Sequence, residues 1–467
     1  MQSGKGQANM AYIGAIVAVA TIGGLLFGYD SGAVNGTQNG LKSAFGLSEA
    51  GLGFTVGSLL IGCFIGAFFA GALAEKMGRR NVMRLASLLF LIGALVQGFA
   101  HNQEIFVISR LMGGIAVGAA SVLSPAYISE VAPAHIRGRM TTIQQIMIIA
   151  GLTAAAIVNY FFQQAAGNDS TNELAFGLAA WRWMFLAQAL PAAVFLIALF
   201  FVPESPRFLV ARGRNAEASV VLSKLFGETE GRDKLAEIQG SFSADHRPRL
   251  SDVLAKGTVL RPIVWAGLII AVFQQLVGIN VIFYYGATLW QAAGFSESQA
   301  LLTNIINNSI SIAACFVTVL YVDRIGRKPL LLIGSAGMAI TLFIMVYAFS
   351  TGTMTGTTLN LPGHMGMVAV SAALAYSALF NISWGPVMWV MLGEMFPNQL
   401  RGSALAVCGF AQWFANYLIA QSFPVMLGSI GLAASYSFYG TCAVISFFLV
   451  QKFIHETKGK ELEAMEG

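Results

Sequence analysis

Two ionisable side chains of opposite sign lie inside long apolar stretches of the sequence. Asp30 is part of the glycine-rich stretch GGLLFGYDSGAVNG at 23–36, and Arg110 lies in another apolar stretch. An aspartate at membrane depth costs roughly 2.5 to 3.5 kcal/mol on insertion scales, so we expect it to have a partner and a task. A buried acid–base pair whose carboxyl group can be protonated and released is a simple device for proton coupling. A purely structural ion pair is the alternative.

A second group of polar side chains carries no charge. In the motif QQLVGIN, Gln274 and Gln275 precede Asn280 by six and five residues, so one face of a straight helix cannot hold all three. Gly278 lies between them and permits a local break in the helix. Amides that converge on an unwound helix suit an uncharged polyol, because each amide both donates and accepts hydrogen bonds. The alternative is that these amides hold neighbouring helices together.

Further side chains could complete a polar cavity. Gln145 lies in an apolar stretch, and Gln412 and Asn416 are one helical turn apart and share a helix face. Trp389 lies far from the membrane interface where tryptophan is usual, and its indole could stack on a sugar ring and donate its N–H to a hydroxyl. Packing between helices is the alternative for each of these residues alone.

Apolar helices must position these side chains. The 467 residues are 56% hydrophobic and 10% charged, with a mean hydropathy of +0.69, whereas globular proteins carry about 25% charged residues. About 20 apolar residues cross a hydrocarbon layer of roughly 30 Å. Twelve predicted spans meet this criterion: 11–34, 52–73, 83–100, 105–128, 142–163, 183–202, 260–285, 300–322, 329–349, 367–392, 403–424 and 432–454. We therefore expect an all-α membrane protein, whose first span is not a cleaved signal peptide.

The basic residues predict the orientation of the spans. If both termini are cytoplasmic, 24 of the 27 Lys and Arg residues fall on the cytoplasmic side, apart from Lys42, Arg110 and Arg182. This asymmetry follows the positive-inside rule, so the net charge of +5 reflects topology and does not indicate a nucleic-acid partner. The predicted ends of spans 1 and 4 place Asp30 and Arg110 roughly 6 and 7 Å below the outer boundary. The shared depth predicts that they pair.

The chain repeats its own motifs at intervals near 250 residues. EVAPAHIRG, with Glu130 and Arg137, recurs as EMFPNQLRG, with Glu394 and Arg401, and EKMGRR recurs as DRIGRK. PESPR after predicted span 6 is echoed weakly by HETKG after predicted span 12. Three matches in the same order indicate two six-helix halves related by a parallel repeat. The predicted divisions are a first half at 1–202, a cytoplasmic linker with short amphipathic helices at 203–258, a second half at 259–455 and a cytoplasmic tail at 456–467.

This plan is typical of secondary transporters, in which two halves rock about a site at their interface. The sequence contains no GxxxxGK[ST] loop, which argues against an ATP-driven pump. All four cysteines lie in apolar stretches and are interpreted as packing residues. We predict no cofactor, no metal site and no enzymatic activity, because no His, Cys or carboxylate cluster falls in the predicted cavity.

The motifs together resemble the sugar porters of the major facilitator superfamily over essentially the whole chain. The duplicated loop motifs are widespread in that superfamily, whereas PESPR combined with QQLVGINVIFYY is more specific. The resemblance implies that Gln274, Gln275 and Asn280 bind sugar and that Phe27 and Tyr284 line the cavity. The motif GYD together with an arginine in helix 4 is similar to proton-coupled bacterial glucose and xylose symporters. This similarity gives Asp30 and Arg110 the role of proton coupling.

Two positions depart from the family pattern. The family commonly has an asparagine in helix 8 where this chain has Ser311, with Asn307 and Asn308 one turn earlier. Proton-coupled relatives often have a glutamate where this chain has Gln188. The share of helix 8 in sugar choice and the route of the proton are therefore left open.

Charged residues in the cytoplasmic loops are predicted to set topology and, by the resemblance, to form a gate of ion pairs between helices. Exposed ion pairs contribute about 0 to 1 kcal/mol each, which suits a gate that opens in every cycle. The predicted gate residues are Glu75, Arg79, Arg80, Glu130, Arg137, Glu204, Asp323, Arg327, Glu394 and Arg401.

The sequence thus predicts a multi-pass protein of the cytoplasmic membrane that takes up a monosaccharide with a proton by alternating access. The expected partners are a hexose or pentose, a proton and membrane lipid, and we expect a monomer to be functional. A facilitator that only equilibrates sugar is the nearest alternative, and a membrane sugar sensor is a more distant one.

Overall fold

The computed structural model describes residues 8–243, 250–255, 260–292, 294–295, 297–355, 358–397 and 400–458. Within them, twelve helical segments are long and apolar enough to cross a membrane, which confirms the predicted number. Spans 1 to 12 are Met10–Phe45, Gly51–Met77, Arg79–Phe99, Gln103–Val131, Arg137–Ala165, Ala180–Ala198, Pro262–Gly286, Thr303–Ile325, Arg327–Ser350, Met365–Glu394, Arg401–Phe423 and Val425–Phe453.

In the part of the chain that the structure describes, eighteen α-helices build these spans and the linker. They are α1 (Met10–Ala20), α2 (Ile22–Phe45), α3 (Glu49–Met77), α4 (Arg79–Phe99), α5 (Gln103–Val131), α6 (Arg137–Ala165), α7 (Ala180–Leu186), α8 (Ala189–Ala198), α9 (Pro206–Ala211), α10 (Asn215–Phe226), α11 (Glu228–Ser243), α12 (Pro262–Leu276), α13 (Ile279–Ala292), α14 (Glu297–Ile325), α15 (Arg327–Ser350), α16 (Met365–Ile382), α17 (Trp384–Glu394) and α18 (Arg401–Phe453). Short 3₁₀ turns lie at Ala134–Ile136 and Leu250–Val253.

Spans 1, 6, 7 and 10 each consist of two consecutive helices, and in spans 7 and 10 the residue at the junction has non-helical backbone angles. Span 7 breaks between α12 and α13, where Gly278 has a φ of 87°; this left-handed conformation favours glycine. The break predicted at this residue is confirmed. Span 10 breaks between α16 and α17 at Ser383, whose φ of −126° and ψ of −93° are not helical. This second break was not predicted from the sequence.

Span 1 differs from its prediction. Its helix α2 continues to Phe45, eleven residues beyond the predicted end at Val34. The added segment, NGTQNGLKSAF, is rich in polar residues, so a criterion based on hydropathy ends the span too early. The predicted end of the helix at Val34 was therefore wrong, and Asp30 lies fifteen positions before the observed end, or about 22 Å.

The two ends of the bundle are distinguished by their connections. We call the end with the linker helices α9, α10 and α11 the linker face. The other end, the hairpin face, carries two antiparallel hairpins, β1 (Glu173–Ala175) with β2 (Leu178–Ala179) and β3 (Thr353–Thr355) with β4 (Thr358–Asn360). Within the linker, the segment AEASVVLSKLF lies in α10. The segment RLSDVLAK contains the 3₁₀ turn Leu250–Val253, and its first and last residues lie outside the described residues, as does the tail from 459 onward.

Close backbone packing explains the glycine-rich stretch of span 1. A Cβ atom on Gly28 would lie 1.8 Å from the carbonyl oxygen of Ile148 in α6. Membrane helices associate through such small residues, because lipid tails offer no hydrophobic drive between helices. The contact holds α2 against α6 on one side of the central cavity, next to Asp30.

Candidate functional site

A central cavity lies between spans 1 to 6, the first half, and spans 7 to 12, the second half. All nine residues predicted to bind a ligand line it: Phe27, Gln145, Gln274, Gln275, Asn280, Tyr284, Trp389, Gln412 and Asn416. The helix break at Gly278 brings Asn280 to the same cavity as the glutamines of α12, which a straight helix would not do. The structure therefore gathers the predicted residues in one place, while their role in binding stays a prediction.

The amides of the second half form one hydrogen-bonded chain. The Nε2 of Gln274 donates to the backbone carbonyl of Gly385 at 3.3 Å. The Oε1 of Gln274 accepts from Gln275 at 2.9 Å and from Gln412 at 3.2 Å. Asn280 donates to the Oε1 of Gln275 at 2.5 Å. A backbone carbonyl only accepts hydrogen bonds, so the NH₂ group of Gln274 must face Gly385 and its Oε1 must face Gln275 and Gln412. The orientation of each further amide in the chain follows from the one before it.

Three carbonyl oxygens on the cavity wall are buried and lack a hydrogen-bond partner: Gln144 Oε1, Gln412 Oε1 and Asn416 Oδ1. The Nδ2 of Asn416 donates to the hydroxyl of Tyr284 at 3.2 Å. A buried acceptor without a partner is unfavourable by about 1 to 3 kcal/mol. The cavity is therefore suited to a neutral ligand rich in hydroxyl donors.

Aromatic rings line the same cavity. Trp389 is 7% exposed, and Phe27 packs edge-on against Trp413 with ring centroids 4.9 Å apart. The indole N–H of Trp413 donates to Ser121 Oγ of the first half at 2.9 Å. Sequence reasoning missed Trp413 and Ser121, although Trp413 directly follows the predicted Gln412. The apolar walls suit the C–H face of a sugar ring.

Helix α14 stands back from the cavity. The lining formed by the described residues includes none of its side chains. Ser311 is fully buried and its Oγ has no hydrogen-bond partner, while Asn307 and Asn308 are also buried outside the lining. Ser311, the position that departs from the family pattern, therefore does not line the cavity.

Asp30 and Arg110 form an ion pair beside the cavity. The Nη1 of Arg110 lies 2.7 Å from Asp30 Oδ2, and the side chains are 2% and 0% exposed. The Nη2 of Arg110 donates to the backbone carbonyl of Val56 at 3.1 Å. The predicted pairing is confirmed. Gln188, where relatives often carry a glutamate, donates to Gln97 Oε1 at 3.0 Å, and both amides are buried.

The ion pair and the central cavity share a wall. A second, smaller cavity reaches Arg110, and both cavities are lined by Ser31 and Tyr284. Ser31 follows Asp30 directly in α2, and Tyr284 carries the hydroxyl that Asn416 contacts. A ligand in the central cavity would therefore lie next to the wall that separates it from the ion pair.

On the linker face, the first half forms a cluster of charges around helix α4. Arg79 Nη2 lies 3.0 Å from Glu130 Oε1. Glu204 Oε1 accepts the backbone N–H groups of Arg79 at 2.9 Å and Arg80 at 3.2 Å, at the positive N-terminal end of α4. Ser205 donates to Glu130. We call Glu204 and Ser205 the first clamp.

The second half repeats this arrangement around helix α15. Arg327 donates to both oxygens of Glu394, at 3.0 and 2.7 Å. Glu456 accepts the backbone N–H of Arg327 at 3.0 Å, and Thr457 donates to Glu394 at 2.9 Å. We call Glu456 and Thr457 the second clamp. The weak echo of PESPR in HETKG was the signal for this pair in the sequence, but only Glu204 was singled out there.

The remaining predicted gate residues take different partners. Asp323 lies 2.9 Å from Arg327 and accepts the backbone N–H of Arg139 in the first half at 3.2 Å. Glu75 packs against Gly402 of the second half, because a Cβ atom added to Gly402 would lie 2.8 Å from Glu75 Oε1. Arg80 donates to the carbonyl of Val202. Arg401 donates to the carbonyl of Phe396, and Arg137 is buried at the start of α6.

The halves also contact each other on the hairpin face. Asn35 donates to the backbone carbonyl of Phe283 at 2.9 Å, and Gln421 donates to that of Gly53 at 3.0 Å. Together with the bond between Arg139 and Asp323, these contacts join the halves on both sides of the central cavity. A ligand needs one set of contacts to open before it can enter or leave.

Comparisons with known proteins agree with this architecture. The sequence model of the family described as "Sugar (and other) transporter" matches residues 16–467. The chain is 43% identical over 461 residues to the "Glucose transport protein" of Synechocystis sp. (strain ATCC 27184 / PCC 6803 / Kazusa), covering 98% of each. It is 40% identical over 493 residues to the "D-xylose-proton symporter" of Escherichia coli (strain K12), covering 99% of this chain and 96% of that protein. The solved structure of the proton:xylose symporter XylE bound to 6-bromo-6-deoxy-D-glucose is similar, with a TM-score of 0.87, 37% identity and coverage of 98% and 99%.

Proposed function

Because this chain belongs to the sugar transporter family of the major facilitator superfamily, we propose that it takes up a monosaccharide together with a proton. The substrate is a hexose such as glucose or a pentose such as xylose. Relatives that share 43% and 40% of its residues over nearly their whole length are named as a glucose transporter and a xylose–proton symporter.

One observation carries this proposal: a cavity of neutral amides shares a wall with a buried acid–base pair. The amides offer carbonyl oxygens to hydroxyl groups and present no charge that would select an ion. Asp30 and Arg110 lie beyond Ser31 and Tyr284. The arrangement gives a sugar and a proton separate sites that lie close enough to influence each other.

The proposed cycle is alternating access. The halves rock about the central cavity, and the contacts on one face open while those on the other stay closed. Protonation removes the charge of Asp30 and weakens its bond to Arg110. The cavity can then reorient with both sugar and proton bound, and loss of the proton restores the ion pair.

The linker face is the cytoplasmic side in this proposal, because nearly all of the described Lys and Arg residues outside the apolar segments lie there. Both termini are then cytoplasmic, and the clusters around α4 and α15 form the inner gate. A protease added to inside-out vesicles is expected to cleave within 210–243. Cleavage of the same segment from the outside of intact cells would reverse the orientation.

Uptake of labelled glucose and xylose into vesicles, with and without an imposed proton gradient, tests the proposal. One proton crossing 100 mV supplies about 2.3 kcal/mol, enough for roughly 50-fold accumulation of sugar. A facilitator stops at equal concentrations on both sides. Binding without any movement of sugar would instead identify a sensor, and neither binding nor transport of any monosaccharide would contradict the proposal.

A further inference from the structure

Asn381 is a fully buried amide that the sequence did not single out and that lies outside the cavity lining. It is the second-last residue of α16, next to the break of span 10. Its Nδ2 donates to the backbone carbonyl of Ser377 at 2.8 Å. Its Oδ1 accepts from Gln145 Nε2 at 3.2 Å and lies 3.7 Å from the thiol sulfur of Cys315. Asn381 therefore bonds a cavity residue of the opposite half without lining the cavity itself.

The direction of both amides follows from one backbone group. The carbonyl of Ser377 can only accept, so the NH₂ group of Asn381 must face it and the Oδ1 must face Gln145. An amide oxygen can only accept, so the NH₂ group of Gln145 must face Asn381. The same Nε2 of Gln145 packs against helix α17, where a Cβ on Gly385 would lie 3.2 Å from it.

The carbonyl oxygen of Gln145 is thereby left for the cavity. Without Asn381, the Gln145 amide could rotate by half a turn and exchange its oxygen for its NH₂ group at little energetic difference. Fixing the amide removes this freedom before a ligand arrives, and preorganisation of this kind raises affinity. The partner of Gln145 is also attached to the break of span 10, because Thr318 Oγ1 donates to the carbonyls of Asn381 and Ile382 at 3.1 and 2.8 Å.

We infer that Asn381 is a positioning residue for sugar binding, which acts by holding the Gln145 amide with its carbonyl oxygen toward the sugar. This inference rests on the proposed function and adds a residue that need not touch the sugar. It links the orientation of a sugar-binding amide in the first half to the helix break in the second half.

A double-mutant cycle on the full-length protein tests the inference. Equilibrium binding of glucose or xylose is measured for the parent, Asn381→Ala, Gln145→Ala and the double variant. Each single variant is expected to weaken binding about 5- to 150-fold, the range for a lost buried hydrogen bond. The double variant is expected to bind within about twofold of Gln145→Ala, because Asn381 acts through Gln145.

Two further measurements separate positioning from a general structural role. Thr318→Val removes the hydroxyl that bonds the break but keeps the Asn381 amide that bonds Gln145, so its effect on sugar binding is expected to be smaller than that of Asn381→Ala. Each monodeoxyglucose lacks one hydroxyl group, and the analogue that lacks the hydroxyl bound by Gln145 is expected to bind equally well to the parent and to Gln145→Ala. The same analogue is expected to bind equally well to Asn381→Ala. Independent, multiplying effects of Asn381→Ala and Gln145→Ala would overturn the inference.

If Asn381→Ala does not fold, Asn381→Asp provides the test. A protonated carboxyl group accepts from Gln145 and donates to Ser377 as the amide does, so binding relative to the parent at the same pH is expected to recover as pH falls. Binding that stays impaired at every pH would overturn the inference. Failure of the parent itself to bind any monosaccharide would instead reject the proposed function.

Discussion

The two halves of the protein carry different kinds of polarity beside the central cavity. The first half holds the buried charges, Asp30 and Arg110, which are bonded to each other. The second half holds the chain of neutral amides that is fixed by the carbonyl of Gly385. A charged side chain in the second half would form hydrogen bonds with the amides in competition with the sugar hydroxyls. A neutral pair in place of Asp30 and Arg110 would have no titratable carboxyl group to carry a proton.

This division explains how one cavity can serve two substrates. The ion pair has a single titratable carboxyl group with one strong partner, so its state depends on a proton. The amide chain contains no titratable group, so a change of pH does not alter its charge or its hydrogen bonds to a sugar. Ser31 and Tyr284 line both the central cavity and the smaller cavity that reaches Arg110.

Arg110→Leu is expected to have the largest effect, because it leaves Asp30 buried and unpaired. Removing one partner of a buried ion pair lowers the free energy of unfolding by about 3 to 5 kcal/mol. Thermal unfolding of the purified protein measures the loss. The double variant Asp30→Asn with Arg110→Leu is expected to recover most of it, and equal instability of the single and double variants would show that the charge of Asp30 is not the cause.

Asp30→Asn is expected to abolish accumulation of sugar while exchange continues. The asparagine imitates the protonated carboxyl group at every pH, so the gain of roughly 50-fold that a proton supplies at 100 mV disappears. Concentrative uptake and counterflow in the same vesicles measure the two activities. Asp169→Asn, in an exposed loop on the hairpin face, is the matched control, and accumulation by Asp30→Asn would mean that the proton is carried elsewhere.

Gln274→Ala is expected to weaken sugar binding by about 5- to 150-fold without changing proton dependence. Its removal deprives both Gln275 and Gln412 of their acceptor, and each buried donor left unpaired is unfavourable by about 1 to 3 kcal/mol. Equilibrium binding of glucose and xylose measures the loss, with the exposed Gln164→Ala as control. Unchanged binding would move the sugar site away from the amide chain.

Gln144→Ala is expected to have the smallest effect, about 2- to 10-fold on affinity. Gln144 lines the cavity from the first half, and its Oε1 has no partner in the protein, so its removal can lose a hydrogen bond to the sugar but leaves no protein donor unpaired. The same binding assay measures it beside Gln274→Ala. A loss as large as that of Gln274→Ala would show that the first half contributes to sugar affinity as strongly as the second.

The sequence predicted features that depend on composition and local backbone freedom. The number of spans follows from apolar length, the break of span 7 follows from Gly278, and the pairing of Asp30 follows from the scarcity of buried charges. The end of span 1 at Phe45 was missed because the helix continues through polar residues that pack against other helices.

Features that depend on tertiary contacts could not be predicted in this way. At the break of span 10, Pro386 lacks the N–H that would bond the carbonyl of Ile382, but only the folded structure shows that Thr318 bonds the carbonyls of Asn381 and Ile382 instead. The contact of Trp413 with Ser121 joins residues almost three hundred positions apart. Periodicity along one helix contains no information about such partners on another helix.

The positions of the two clamps in the sequence determine the order in which the two charge clusters can form during synthesis. The ribosome adds about 5 to 20 residues per second, and Glu204 and Ser205 emerge before any residue of span 7. The nascent first half can therefore complete the charge cluster around α4 before the second half is made. Arg327 must wait for Glu456, which is 129 residues further along and arrives roughly 6 to 26 seconds later at that rate. The second cluster can close only after span 12 has been made, so this part of the linker face is the last to mature.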